Sequence, residues 1–175
     1  MSPPWVSPPP MRTARTSYTL PPFAFLVVRE TARRSSRARG LLASNCDVMR
    51  AALVLGALQP PPFLAYAAVE WARRVRAEGG KPRCVSLPLG APELRAIAVL
   101  RNFFIDSSAA LSWAVVAWAD AVPAYLLLSR EEQDALVSAL PAIPPPSRWR
   151  EPRGRRHADG SRGLTPAALT RPPRR

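Results

Sequence analysis

Cys46 and Cys84 are the two thiols of this 175-residue chain, and His157 is its single histidine. A structural zinc site takes four ligands, Cys or His at short spacings. Neither cysteine has a second Cys or a His at such a spacing, so the sequence predicts no metal and no zinc-binding DNA domain. Both thiols read as ordinary ones in a reducing compartment. Catalysis finds no better footing. There is no phosphate-cradling glycine loop and no nucleophile elbow. His157 stands beside Arg155 and Arg156 in a stretch poor in apolar residues. The expectation is a non-enzyme without a cofactor.

The remaining chemistry is that of the guanidinium group. Lys81 is the only lysine among 25 basic residues, and the net charge is +13. Such a chain contacts phosphates non-specifically. An Arg/Pro-rich, largely disordered nucleic-acid binder is therefore the alternative to a folded module. The arginine clusters lack the interleaved aromatics that make a stacking platform for bases.

Proline numbers 22 against 8 glycines, and proline is excluded from helix interiors and central strands. Residues 1–40, rich in Pro and Arg with Glu30 as the one acid, read as a disordered leader. The leader has the composition of a transit peptide, but its prolines oppose the amphipathic helix that import requires. Residues 141–175 read as a disordered basic tail. Between them, residues 41–140 carry helical patterning. Val48, Ala51, Ala52 and Leu55 mark one helix within 41–58, closed by Pro60, Pro61 and Pro62. Leu64, Ala67, Ala68 and Trp71 mark a second, from Phe63 to about Ala77, stopped by Gly79 and Gly80. Residues 81–92, with three prolines, read as a loop. A third helix starts near Pro92 with Glu93 suited to its dipole, and Leu94, Ile97, Leu100 and Phe104 follow.

The next helix is capped by Asp106, Ser107 or Ser108. Leu111, Val115, Trp118 and Val122 share one face, while Trp113, Val116 and Ala117 make the other apolar too. That pattern predicts a central helix packed on both sides, ended by Pro123. After a short link, 124–128, the run Ser129-Arg130-Glu131-Glu132 is a capping box for a helix carrying Leu136, Val137 and Leu140. Pro141 breaks it. The longest nearly uncharged stretch, 105–128, carries Asp106, Asp120 and Pro123, which argues against a membrane span.

Residues 106–137 resemble the signature of the nuclear-receptor ligand-binding domain. The match reads Trp118-Ala119-Asp120, a spacer, Tyr125, Leu128, Glu132-Gln133 and Leu136-Val137, without a gap. Upstream, Asp106 to Leu111 is similar to the opening of the same helix in the tailless and photoreceptor-specific receptors. The resemblance implies an all-α fold: a partial ligand-binding-domain-like region, 106–140 supplying its third and fourth helices, between disordered Pro/Arg-rich tails. It implies a ligand-regulated transcription factor acting in the nucleus, with the mitochondrion or cytoplasm as alternatives. A coregulator's LxxLL helix would lie in a groove lined by Val116, Asp120, Gln133 and Val137, a helix-in-groove mode. Ser108 and Leu111 would face a pocket for a lipophilic ligand, and a receptor dimer partner would be a further contact.

Three departures temper that expectation. The family usually has Lys where Asp120 stands, and an aspartate repels the C-terminal carbonyls of a docked helix. Pro141 stands about where an aromatic of the family's next helix is expected. No later acidic-hydrophobic activation helix follows. The segment reads as an incomplete receptor domain joined to unrelated ends, so a spurious or truncated gene product is the further alternative.

Overall fold

The computed structural model describes residues 14–142. Helices dominate among them: α1 (Pro22–Arg39), α2 (Asn45–Ala57), α3 (Pro61–Glu78), α4 (Ala91–Leu100), α5 (Ser107–Ala117), α6 (Val122–Leu127) and α7 (Arg130–Ser138). Two strands, β1 (Ala14–Leu20) and β2 (Arg83–Leu89), complete the set. They pair antiparallel, with Thr16 opposite Leu87 and Leu20 opposite Arg83.

The described residues are mostly helical, as expected, but this strand pair adds a small sheet to the all-α expectation and corrects the reading of 81–92 as a loop. The alternation is there in retrospect. Tyr18 and Leu20 on β1, and Leu87 and Leu89 on β2, are buried, one inward face at the period of two. Pro88 brings no N–H to the ladder, a place proline takes only at a sheet edge. Its carbonyl is filled instead by Arg50, whose Nε and Nη2 donate at 3.0 and 2.6 Å.

The leader expected to be disordered is ordered from Ala14 onward. Pro22 sits in the first turn of α1, where its missing N–H costs nothing. Ala24, Val28, Thr31, Ala32 and Ser35 form the buried stripe, at helical spacing but of small, weakly apolar residues. The helix stops at Gly40, whose φ of 63° is the left-handed C-cap conformation. The disordered tail expected over 141–175 lies outside the described residues, apart from Pro141 and Ala142.

Two helices form the centre. α2 opens on a capping box. The Asp47 N–H donates to Ser44 Oγ at 3.1 Å, and the Ser44 N–H donates to Asp47 Oδ2 at 2.8 Å. Most of α2 is then buried, including Val48, Leu53 and Val54. α5, capped by Asp106 through the Ala109 N–H at 2.7 Å, is buried from Ala110 to Val115. It packs on α1, α2, α3, α4 and β1, as a helix apolar on both faces must. It is shorter than the spacing predicts. The chain turns at Trp118–Ala121, and Pro123 sits in the first turn of α6 rather than ending α5.

α2 and α5 meet at Gly56. A methyl placed there would lie 3.1 Å from Cζ3 of Trp113 and 3.2 Å from Cβ of Ala114, so the helices approach as closely as a bare backbone allows. Gly56→Leu is expected to cost about 1–3 kcal/mol or more through overpacking, read as a lower urea midpoint. A midpoint equal to that of the parent chain would show that the two helices are not in close contact.

Candidate functional site

Four of the residues singled out by the resemblance come together. Tyr125, Leu128, Gln133 and Val137 line one cleft of about 480 Å³ between α2, α4, α6 and α7. Local physics sets this corner. Ser129 caps α7: the Glu132 N–H donates to Ser129 Oγ at 3.3 Å and the Ser129 N–H to Glu132 Oε2 at 2.7 Å. That is the reciprocal box the sequence predicts. Gln133 then points its amide back along the chain. Its Nε2 donates to the carbonyls of Tyr125 at 3.3 Å and Leu128 at 3.2 Å. It gives the Leu128 carbonyl a donor and the Tyr125 carbonyl a second one beside the Leu128 N–H, and so ties α7 to the end of α6.

The cleft has an apolar floor, including Ala51, Val54, Leu126, Leu128 and Val137, and a rim carrying both signs of charge. Arg39, Arg50 and Arg130 supply cations; Asp47, Glu93 and Asp134 supply carboxylates. Several are held in place. Asp47 belongs to the α2 cap, Arg50 clamps Pro88, and Glu93 Oε2 accepts the Gly90 N–H at 2.8 Å at the start of α4. Arg130 and Asp134 pair loosely at 4.0 Å, both largely exposed. Tyr125 is buried, and its hydroxyl is held protonated to unusually high pH, first by burial and then by the negative charges of Glu93 and Asp134. The cleft can therefore offer apolar contact, hydrogen bonding and charge complementarity to a bound segment.

The other expected residues are placed differently. Val116 lines a separate cavity with Trp71, Arg74 and Trp113, so it shares no cleft with Gln133 and Val137. Asp120 is tied to α1: Arg34 Nη1 donates to its Oδ1 at 2.8 Å, and Arg34 Nη2 reaches the Ala119 carbonyl at 3.4 Å. Asp120 keeps 94% of its side chain exposed, so this pair is worth little in stability. Ser108 Oγ accepts the Thr19 N–H of β1 at 3.0 Å, and Leu111 is completely buried in the core. Both serve packing between α5 and its neighbours. Of the remaining signature residues, Ala119 is buried, Trp118 and Leu136 are half-buried, and Glu132 is exposed.

Sequence reasoning missed Arg39, Asp47, Arg50 and Asp134 as cleft residues, and took Glu93 only as a helix-start residue. They come from four helices, Asp47 and Arg50 both from α2, with no shared motif. The Ser44–Asp47 cap was a readable signal for one of them; the convergence itself is tertiary. Among the described residues no three His, Cys, Asp or Glu side chains gather as metal ligands. Cys46 and Cys84 are free. Among those residues no helix is long and apolar enough to cross a membrane.

No protein-family model, no curated protein and no solved structure matches this chain.

The α7 cap is an ionic one. The hydrogen bonds from Ser129 hold the Glu132 carboxyl below its ordinary value of 4.5. A depressed carboxylate stabilises the fold above its unfolded-state pKa, and that contribution is lost as pH falls through the folded value. Glu132→Gln should therefore lower the urea midpoint at pH 7 and make little difference near pH 3. An equal deficit at both pH values would rule out the charge as the source.

Proposed function

We propose that this chain is a regulatory protein-binding module of the nuclear-receptor ligand-binding-domain kind, acting in the nucleus. Its cleft between α2, α4, α6 and α7 takes a helical segment of a coregulator. One observation carries this reading: Tyr125, Leu128, Gln133 and Val137, picked out by their spacing in the sequence, share a single cleft. Its volume of about 480 Å³ falls in the range of roughly 300–1,000 Å³ usual for ligand sites. An amphipathic helix suits it. The helix lays its apolar face on Val54, Leu128 and Val137, and its polar termini find charges of both signs on the rim. A coregulator segment fits this mixed lining better than a lipophilic ligand does, since Ser108 and Leu111 are committed to packing.

The proposal differs from the family pattern in where the charges stand. Asp120 is engaged by Arg34 and lies away from the cleft lining, so the cationic clamp falls to Arg39, Arg50 and Arg130.

A fluorescent LxxLL peptide titrated into the full chain tests the reading by anisotropy. Saturable binding is expected. Val137→Glu and the exposed Arg130→Glu should each weaken it about tenfold, or ~1.4 kcal/mol, with circular dichroism unchanged for the second. Absence of saturable binding, or binding indifferent to both changes, would count against the cleft.

A further inference from the structure

A second surface lies apart from this cleft, and α3 builds it. Leu64, Ala67 and Trp71 are the buried stripe of α3. The same helix carries a second apolar row, Ala65, Ala68, Val69 and Ala72, one helical step round. That row faces the link between α4 and α5, where Phe103, Phe104 and Ile105 form the opposite wall. The result is a groove of about 640 Å³ whose polar lining residues are Arg76 and Asn102. Ile105 is 93% exposed and Val69 53% exposed. An isoleucine held almost fully in water at the lip of an apolar groove marks an interaction surface.

We infer that this groove docks an amphipathic helix from another protein, one that carries carboxylates beside its apolar stripe. The shape favours a helix. Three alanines on α3 let a second backbone come close, while Phe103 and Ile105 offer side chains for its apolar face to enclose. Charge chooses the partner. On the same helix, Arg73 and Arg74 are neutralised by Glu70 and Glu78, both at 2.6 Å. Arg76, at the groove, has no carboxylate partner among the described residues. A second copy of the chain would bring one +13 chain against another. The chain's own residues 143–175 carry nine arginines against Glu151 and Asp159, and meet the same repulsion. An acidic helix is the occupant that complements both the apolar walls and the cation.

The test uses the full chain and a labelled synthetic helix of about 18 residues, long enough to be helical. It has leucines at i, i+3, i+4 and i+7 and glutamates flanking them. A matched helix has lysines for the glutamates. The acidic helix should bind saturably and at least about tenfold more tightly than the basic one. Arg76→Glu should reverse that preference. Ile105→Asp, at an exposed position, should weaken binding about tenfold with unchanged circular dichroism, whereas Arg130→Glu in the other cleft should have no effect. Equal binding of the two helices would overturn the inference. So would a dimer in sedimentation that Ile105→Asp abolishes, or uptake by phosphatidylserine vesicles without helix binding. Because the two surfaces share no lining residue, loss of one reading leaves the other standing.

Discussion

Everything in this fold is arranged around the approach of α2 to α5 at Gly56. With no side chain there, the Trp113 ring and Ala114 settle directly against the α2 backbone. Trp113 then reaches two further aromatics, Phe104 at 4.9 Å and Phe63 at 6.3 Å between ring centroids. One small residue thus ties α2, α3, the α4–α5 link and α5 into one packed unit. The flanking helices take their positions from it. α1 lies across α2, α5 and α6, β1 packs on α5, and β2 packs on α2 and α4.

The chain solves its excess of arginine in a particular way. With 25 basic residues and 12 acids, it cannot give each guanidinium a carboxylate. Carbonyl oxygens serve instead. Arg50 clamps Pro88, Arg34 reaches Ala119, and Arg95 bonds the carbonyls of Leu140 and Pro141 where the chain leaves α7. A planar fork of five donors suits this better than an ammonium. Arginines read from the sequence as surface charge or disorder thereby become ties between elements distant in sequence.

How much of this could be read beforehand depended on whether the signal was local. α2, α3, α4, α5 and α7 announced themselves through helical spacing and caps, and the Ser129–Glu132 box is where the sequence put it. α1 escaped because its buried stripe, Val28 apart, is Ala, Thr and Ser, a weak apolar signal, and because Arg and Pro mimic disorder. β1 and β2 escaped because each is short and gains stability only from the other, and Pro88 argued against a strand. Of the cleft residues, the resemblance had put Gln133 and Val137 in a groove, and Tyr125 and Leu128 only in the signature. Their charged neighbours from α1, α2 and α4 were not legible, since no spacing along the chain relates them. Val116 fell on a different cavity because the chain turns at Trp118 instead of continuing as helix to Pro123.

The pairing of β1 with β2 joins two segments separated by three whole helices. Such non-local closure is slow, because the loop entropy is spent before the contact rewards it. During synthesis, β1 leaves the ribosome first and waits with its edge open until β2 follows. Through that interval the inward row of Tyr18 and Leu20 is exposed beside unpaired backbone groups, the arrangement most prone to mispairing. The outward positions of the waiting strand, Ser17 and Thr19, are polar, which limits its apolar face to the inward row.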